Sequence, residues 1–166
     1  MPKKKLLQKK EKLLLSRAQK NMRLLGIFHY LRAAMLLFLL IVFAAIGPET
    51  VWTAIQESNS SPFAYLEKYD AWVAGMSILT LVFIQMATEF FVGWGCRRNS
   101  TRPRNLLLML ILSGISSVGS LFSFITAGMT NPINCLDPAY ALLINLITFL
   151  LSFRIRQQYK NQTSNP

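Results

Sequence analysis

The sequence predicts an all-α integral membrane protein, an antiparallel bundle of four transmembrane helices preceded by a basic amphipathic N-terminal helix. Three observations predict it. Of the 166 residues 52% are apolar and only 15% charged, too little polar surface to coat a soluble domain of this size. The apolar residues gather into four runs, each long enough or nearly so to cross a hydrocarbon core of about 30 Å. Between the runs the charge changes sign every time: about +8 over residues 1–25, −3 over 47–70, +4 over 96–104, −1 over 130–138 and +3 over 154–166. Basic loops stay on the cytoplasmic side, so an even number of spans with both ends inside puts the three basic segments on one face and the two acidic loops on the other.

That topology divides the chain into a cytoplasmic basic amphipathic segment (1–25), a membrane domain (26–155) with spans near 26–46, 72–95, 105–130 and 138–153, and a cytoplasmic polar tail (156–166). In the first segment Leu7, Leu14, Ala18, Met22 and Leu25 fall on one helical stripe, with Lys10, Lys12, Arg17, Lys20 and Arg23 over the rest of the circumference. Such a helix would lie on the inner leaflet. The plainer reading is a basic leader that only obeys the positive-inside rule.

The first span ends at Ala44, Ala45, Ile46, Gly47, a small-residue stretch similar to a signal-peptidase site. Its apolar run of about 21 residues exceeds a signal-peptide core, so it is read as an uncleaved anchor. Gly47 and Pro48 then open the longest loop, with Glu49, Glu57, Glu67 and Asp70 and a turn cluster at 58–62. Asn59-Ser60-Ser61 fits the glycosylation pattern, although Pro62 directly after it disfavours its use. Val51, Trp52 and Ile55, then Phe63, Tyr65, Leu66 and Tyr69, make this loop amphipathic enough to rest on the membrane surface.

The second span carries Ser77, Thr80, Gln85, Thr88 and Glu89 on about half of its circumference, leaving Leu79, Phe83, Met86 and Phe90 to lipid. The turn that follows supplies Arg97, Arg98, Arg102 and Arg104. Together with Lys10, Lys12, Arg17, Lys20 and Arg23 these are the expected contacts to anionic lipid, each worth roughly 1 kcal/mol near an acidic leaflet. Span three presents Ser113, Ser116, Ser117, Ser120 and Ser123 on one stripe with Gly114, Gly119 and Gly128 nearby, small residues of the kind that let helices pack closely. Asp137 and Pro138 read as the cap and first position of the short fourth span, on which Asn145, Thr148 and Ser152 share a face.

The expensive feature is charge within the apolar runs. Arg32 lies about six residues, or roughly 9 Å, into span one, and Glu89 lies about seven residues, or roughly 10 Å, from the same side of span two. Matched depth and opposite sign suggest an intramembrane ion pair, ahead of an ion or proton pathway and of independent snorkelling to the interface. His29, Gln85, Thr88, Asn145 and Thr148 complete the expected inward polar face.

No arrangement of nucleophile, base and acid suggests an enzyme, and no cofactor or metal site is indicated. There is one histidine, and the two cysteines, Cys96 and Cys135, fall on opposite sides of the expected bilayer. The net charge of +11 borders the spans and is not interleaved with base-stacking aromatics, so nucleic acid is not an expected partner. The expected partners are membrane lipids, above all the anionic inner leaflet, and other membrane subunits or further copies of the chain. The leading functional reading is a non-enzymatic accessory, assembly or regulatory subunit in the plasma membrane. The alternatives are a small homo-oligomeric transporter or channel built around Glu89 and a membrane immunity protein against a toxin.

Overall fold

The computed structural model describes the backbone of residues 2–57, 63–101, 106–130 and 136–163, and the side chains of 17–57, 63, 65–100, 106–125 and 136–160. Five α-helices are seen among the described residues: α1 (Pro2–Ile46), α2 (Pro48–Glu57), α3 (Ala71–Thr101), α4 (Leu106–Thr130) and α5 (Leu136–Thr163). Four stretches are long and apolar enough to cross a membrane, 17–46, 71–100, 106–125 and 136–160. Their outward surfaces carry Phe38, Ile41, Phe83, Ile115, Val118 and Phe122, all exposed. A chain that displays so much apolar surface on helices is embedded in a membrane.

Helix α1 is continuous over 45 residues, about 67 Å, with no break where the basic segment meets the span. Leu, Lys, Ala and Met are strong helix formers, and one Gly26 costs only about 1 kcal/mol against Ala, so nothing local ends the helix there. The stripe of Ala18, Met22 and Leu25 is buried, which differs from a helix lying on a leaflet. Ala18 and Met22 pack with Val92 and Cys96 of α3, Leu106 and Met109 of α4 and Ile155 of α5. From Ala18 to Leu25, tertiary packing has claimed the face expected to meet lipid.

The turn after α1 is abrupt. Gly47 has φ of +91°, the left-handed conformation that ends a helix, and its N–H donates to Phe43 O at 3.1 Å. Pro48 then occupies the first turn of α2, where a missing N–H is harmless. The stretch read as the start of a loop is therefore a helix, and its apolar residues do not all meet the membrane surface. Val51 and Trp52 are buried against Leu66, Ala74 and Ile78, with Phe43 and Phe63 alongside, whereas Tyr65 and Tyr69 remain exposed. Gly75 allows α2 to sit on α3, because a Cβ there would lie 1.9 Å from Pro48 O. Asp70 caps α3, its carboxylate accepting from Trp72 N–H at 2.9 Å and its carbonyl from Ala74 N–H at 2.9 Å.

Helix α3 runs on through Arg97 and Arg98 to Thr101, past the expected end of the second span, since basic residues are good helix formers in water. Helix α1 packs against α3 and α5, α4 packs against α5, and α3 and α4 meet more sparsely. The Asn59 sequon, Arg102, Arg104 and Cys135 lie outside the described residues, as do the side chains of Lys10 and Lys12.

Candidate functional site

Midway along α1 a small-residue crossing brings two backbones together. A Cβ on Gly26 would come 3.0 Å from Gly93 O, and one on Gly93 would come 3.1 Å from Gly26 O and 3.2 Å from His29 Cβ. The close approach expected of α4 is made here instead, between α1 and α3. On α4, a Cβ at Gly119 would meet nothing within 4 Å, and one at Gly114 would make only ordinary contact with Phe149.

One turn along from this crossing His29 and Arg32 project from the same face of α1, three residues apart, toward Glu89. Both carboxylate oxygens of Glu89 are engaged. Oε1 accepts from Arg32 Nη1 at 2.9 Å, and Oε2 lies 2.5 Å from His29 Nδ1. The other imidazole nitrogen, Nε2, is 3.0 Å from the Thr148 hydroxyl on α5. One neutral tautomer serves both contacts, Nδ1–H donating to Glu89 and Nε2 accepting from Thr148. The Thr148 hydroxyl also meets the Cys96 thiol. Arg32 Nη2 reaches in the other direction, to Asp137 Oδ2 at 3.2 Å.

Burial grades across this network. The side chains of Glu89 and Arg32 are 5% and 7% exposed, whereas that of Asp137 is 73% exposed. Asp137 lies inside the first turn of α5, which begins at Leu136, so its carboxylate serves Arg32 and does not simply cap the helix. Charge-assisted hydrogen bonds of this kind are about twice as strong as neutral ones; here those on Glu89 tie α1 to α3 in a low-dielectric interior, while α5 is joined through the buried Thr148 hydroxyl and the exposed Asp137 carboxylate.

Of the expected inward polar face, His29, Asn145 and Thr148 are buried. Thr88 is half-buried and turns its hydroxyl back to Ile84 O at 2.8 Å, satisfying itself within its own helix. Gln85 is exposed, contrary to expectation. It shares a stripe with Glu89, four residues away and about 40° around, so the stripe is inward at one level and outward a turn later.

The serine stripe divides in the same way. Ser113 is buried, Ser116, Ser117 and Ser120 are half-buried, and Ser123 is exposed, so only part of it is a packing surface. Ser113 and Ser117 donate to Met109 O and Ser113 O at 2.6 and 2.7 Å, and Ser120 accepts from Asn145 Nδ2 at 3.3 Å. Three buried polar atoms of this region, Arg32 Nε, Asn145 Oδ1 and Ser152 Oγ, have no hydrogen-bond partner among the described residues.

Among the basic residues, Arg17, Lys20, Arg23, Arg97 and Arg98 are exposed around one end of the helices, the guanidinium of Arg98 lying 4.9 Å from the Trp94 ring centroid. Among the described residues no group of three or more His, Cys, Asp or Glu is placed to hold a metal ion. The sequence pointed to Arg32 and Glu89 through their depth. The involvement of Asp137 had no such signal, because it depends on where α5 begins relative to α1. No family model, characterised protein or solved structure matches the chain.

Proposed function

We propose that this chain is a small non-enzymatic multi-pass protein of the plasma membrane that acts as an accessory, assembly or regulatory subunit of a larger membrane complex. Its four long helices form an antiparallel bundle, with the basic amphipathic N-terminal segment and the polar tail on the cytoplasmic side. Lys and Arg at that end meet the anionic inner leaflet. Its partners are lipids and other membrane subunits or further copies of itself, and not nucleic acid.

The observation that carries this reading is Gln85. It stands at the middle of the apolar stretch 71–100 with its side chain exposed. A primary amide facing hydrocarbon without a partner costs roughly 4–8 kcal/mol on a cyclohexane scale, so a neighbouring polypeptide supplies what the chain itself does not. Glu89 fits the same reading, since both its oxygens are already held by Arg32 and His29 and neither is open to a passing ion.

A photo-crosslinking residue at position 85, in native membranes, tests the proposal. A discrete adduct with a second protein, absent when the same residue is placed at Phe83, supports the subunit reading. Adducts with lipid alone overturn it. A transporter or channel is the second reading, favoured by the unpartnered Arg32 Nε and Asn145 Oδ1, which would suit water or an ion near the polar network. A discrete homo-oligomer that conducts ions in liposomes, with flux lost in Glu89→Gln, establishes that reading instead.

A further inference from the structure

The surface between α3 and α4 carries a second built feature, apart from the polar network. Where these sparsely touching helices part, a cavity of about 320 Å³ opens to the surface, within the usual size of small-molecule sites. Ile84, Ala87, Phe91 and Trp94 of α3 and Leu108 and Leu112 of α4 line it. Toward the basic end the helices close together at Gly95, where a Cβ would lie 2.0 Å from Met109 Sδ. Arg98 also borders the cavity at that end, stacked on Trp94 at 4.9 Å. The site is thus an apolar slot with the Arg98 cation at the end where α3 leaves the membrane.

We propose that this slot binds one anionic phospholipid, an acyl chain lying between α3 and α4 and the phosphate held by Arg98. A slot apolar along its length and cationic at one end complements an amphiphile whose anionic group sits at the interface. A helix of a partner protein, about 10–12 Å across, does not fit in 320 Å³. Guanidinium is the side-chain chemistry suited to phosphate, and stacking on Trp94 fixes its plane in advance. The site rests on the membrane-spanning character of α3 and α4 and stands whether or not the chain is an accessory subunit.

The test uses the full chain reconstituted in phosphatidylcholine vesicles, with Trp52 and Trp72 replaced by phenylalanine so that Trp94 alone reports. Dibrominated phosphatidylglycerol or dibrominated phosphatidylcholine is added at equal mole fraction, and quenching of Trp94 is read. The anionic lipid is expected to be preferred about fivefold, the factor equivalent to ~1 kcal/mol for one juxtamembrane cation. Arg98→Gln removes the preference, and Arg98→Lys retains part of it. Ala87→Phe fills the slot and lowers quenching by both lipids, while Arg154→Gln, at an exposed position on α5, leaves the preference intact. Equal quenching by the two lipids overturns the site, as does an Arg154→Gln effect as large as that of Arg98→Gln, which would mean that net charge alone gathers the lipid. If the Trp replacements impair folding, the comparison of Arg98→Gln with the parent in the three-Trp background gives the same difference, because Trp52 and Trp72 contribute equally to both.

Discussion

The two ends of this molecule are packed on different plans. At the basic end α1, α3, α4 and α5 all contribute to one buried cluster, in which Met22 and Ile155 are completely enclosed. At the acidic end the buried cluster, among the described residues, draws on α1, α2, α3 and the turn between α2 and α3, and Val118 and Phe122 of α4 are 70% exposed. The Arg32–Glu89–His29 network sits at the boundary. The same chain thus makes a conventional four-helix core where it is held by apolar contacts, and relies on charged hydrogen bonds where the helices begin to separate. Polar residues beyond that boundary, Gln85 above all, are left facing outward.

The largest expected contrast between the ends is in access. In a cysteine-free background, Tyr65→Cys in intact cells should label fully with a membrane-impermeant maleimide, and Arg97→Cys should label only after permeabilisation. Both positions are exposed on the chain, so the difference reports the side of the membrane. The reverse pattern would invert the proposed orientation.

Removing the tie at the boundary comes next. Glu89→Gln removes the buried anion from Arg32, leaving it only the exposed Asp137 carboxylate, and should destabilise the fold by up to about 3–5 kcal/mol, less where water penetrates from the Asp137 side. The double change with Arg32→Gln should lose less than the sum of the single changes, measured by denaturation in mild detergent. Strict additivity would mean that the pair does not act as a unit.

A smaller effect is expected at the crossing below it. Gly93→Leu must displace Gly26, His29 and Tyr30, all within 3.3 Å of the new Cβ, and should cost about 1–3 kcal/mol in the same assay. Gly119→Leu, with nothing within 4 Å, should change stability by less than about 0.5 kcal/mol or gain slightly from helix propensity. The smallest effect is expected from Val118→Ala on the outward face of α4, within about 0.5 kcal/mol. A large loss at Val118 would show that the open end is covered by a second chain under the conditions of measurement.

The four long apolar helices were legible because length and apolarity alone define them, although α1, α3 and α5 run on as helix into the charged segments. Helix α2 was less so: Gly47-Pro48 announces a break, and only the spacing of Val51, Trp52 and Ile55 hints that a helix resumes at once. The continuity of α1 through residue 25 was hidden by the change from basic to apolar composition, which alters the solvent and not the backbone. Arg32 and Glu89 could be placed at one depth by counting residues. The exposure of Gln85 could not, since a helical stripe gives an angle but not what stands opposite each residue. For the same reason nothing in the residue pattern separates Gly26 and Gly93, which bring two helices together, from Gly119, which meets nothing.

The distance along the chain between the partners of the ion network sets a sequence of events during synthesis. Glu89 follows Arg32 by 57 residues and Asp137 by 105. At about 5–20 residues per second, α1 enters the bilayer with an unanswered guanidinium for roughly 3–11 s before its first partner is made. A lone arginine in a span opposes insertion by about 2.5–3.5 kcal/mol on the translocon scale, so for those seconds α1 depends on the reach of its side chain to the interface. The arrival of α3 ends that dependence, and α5 completes the bond set.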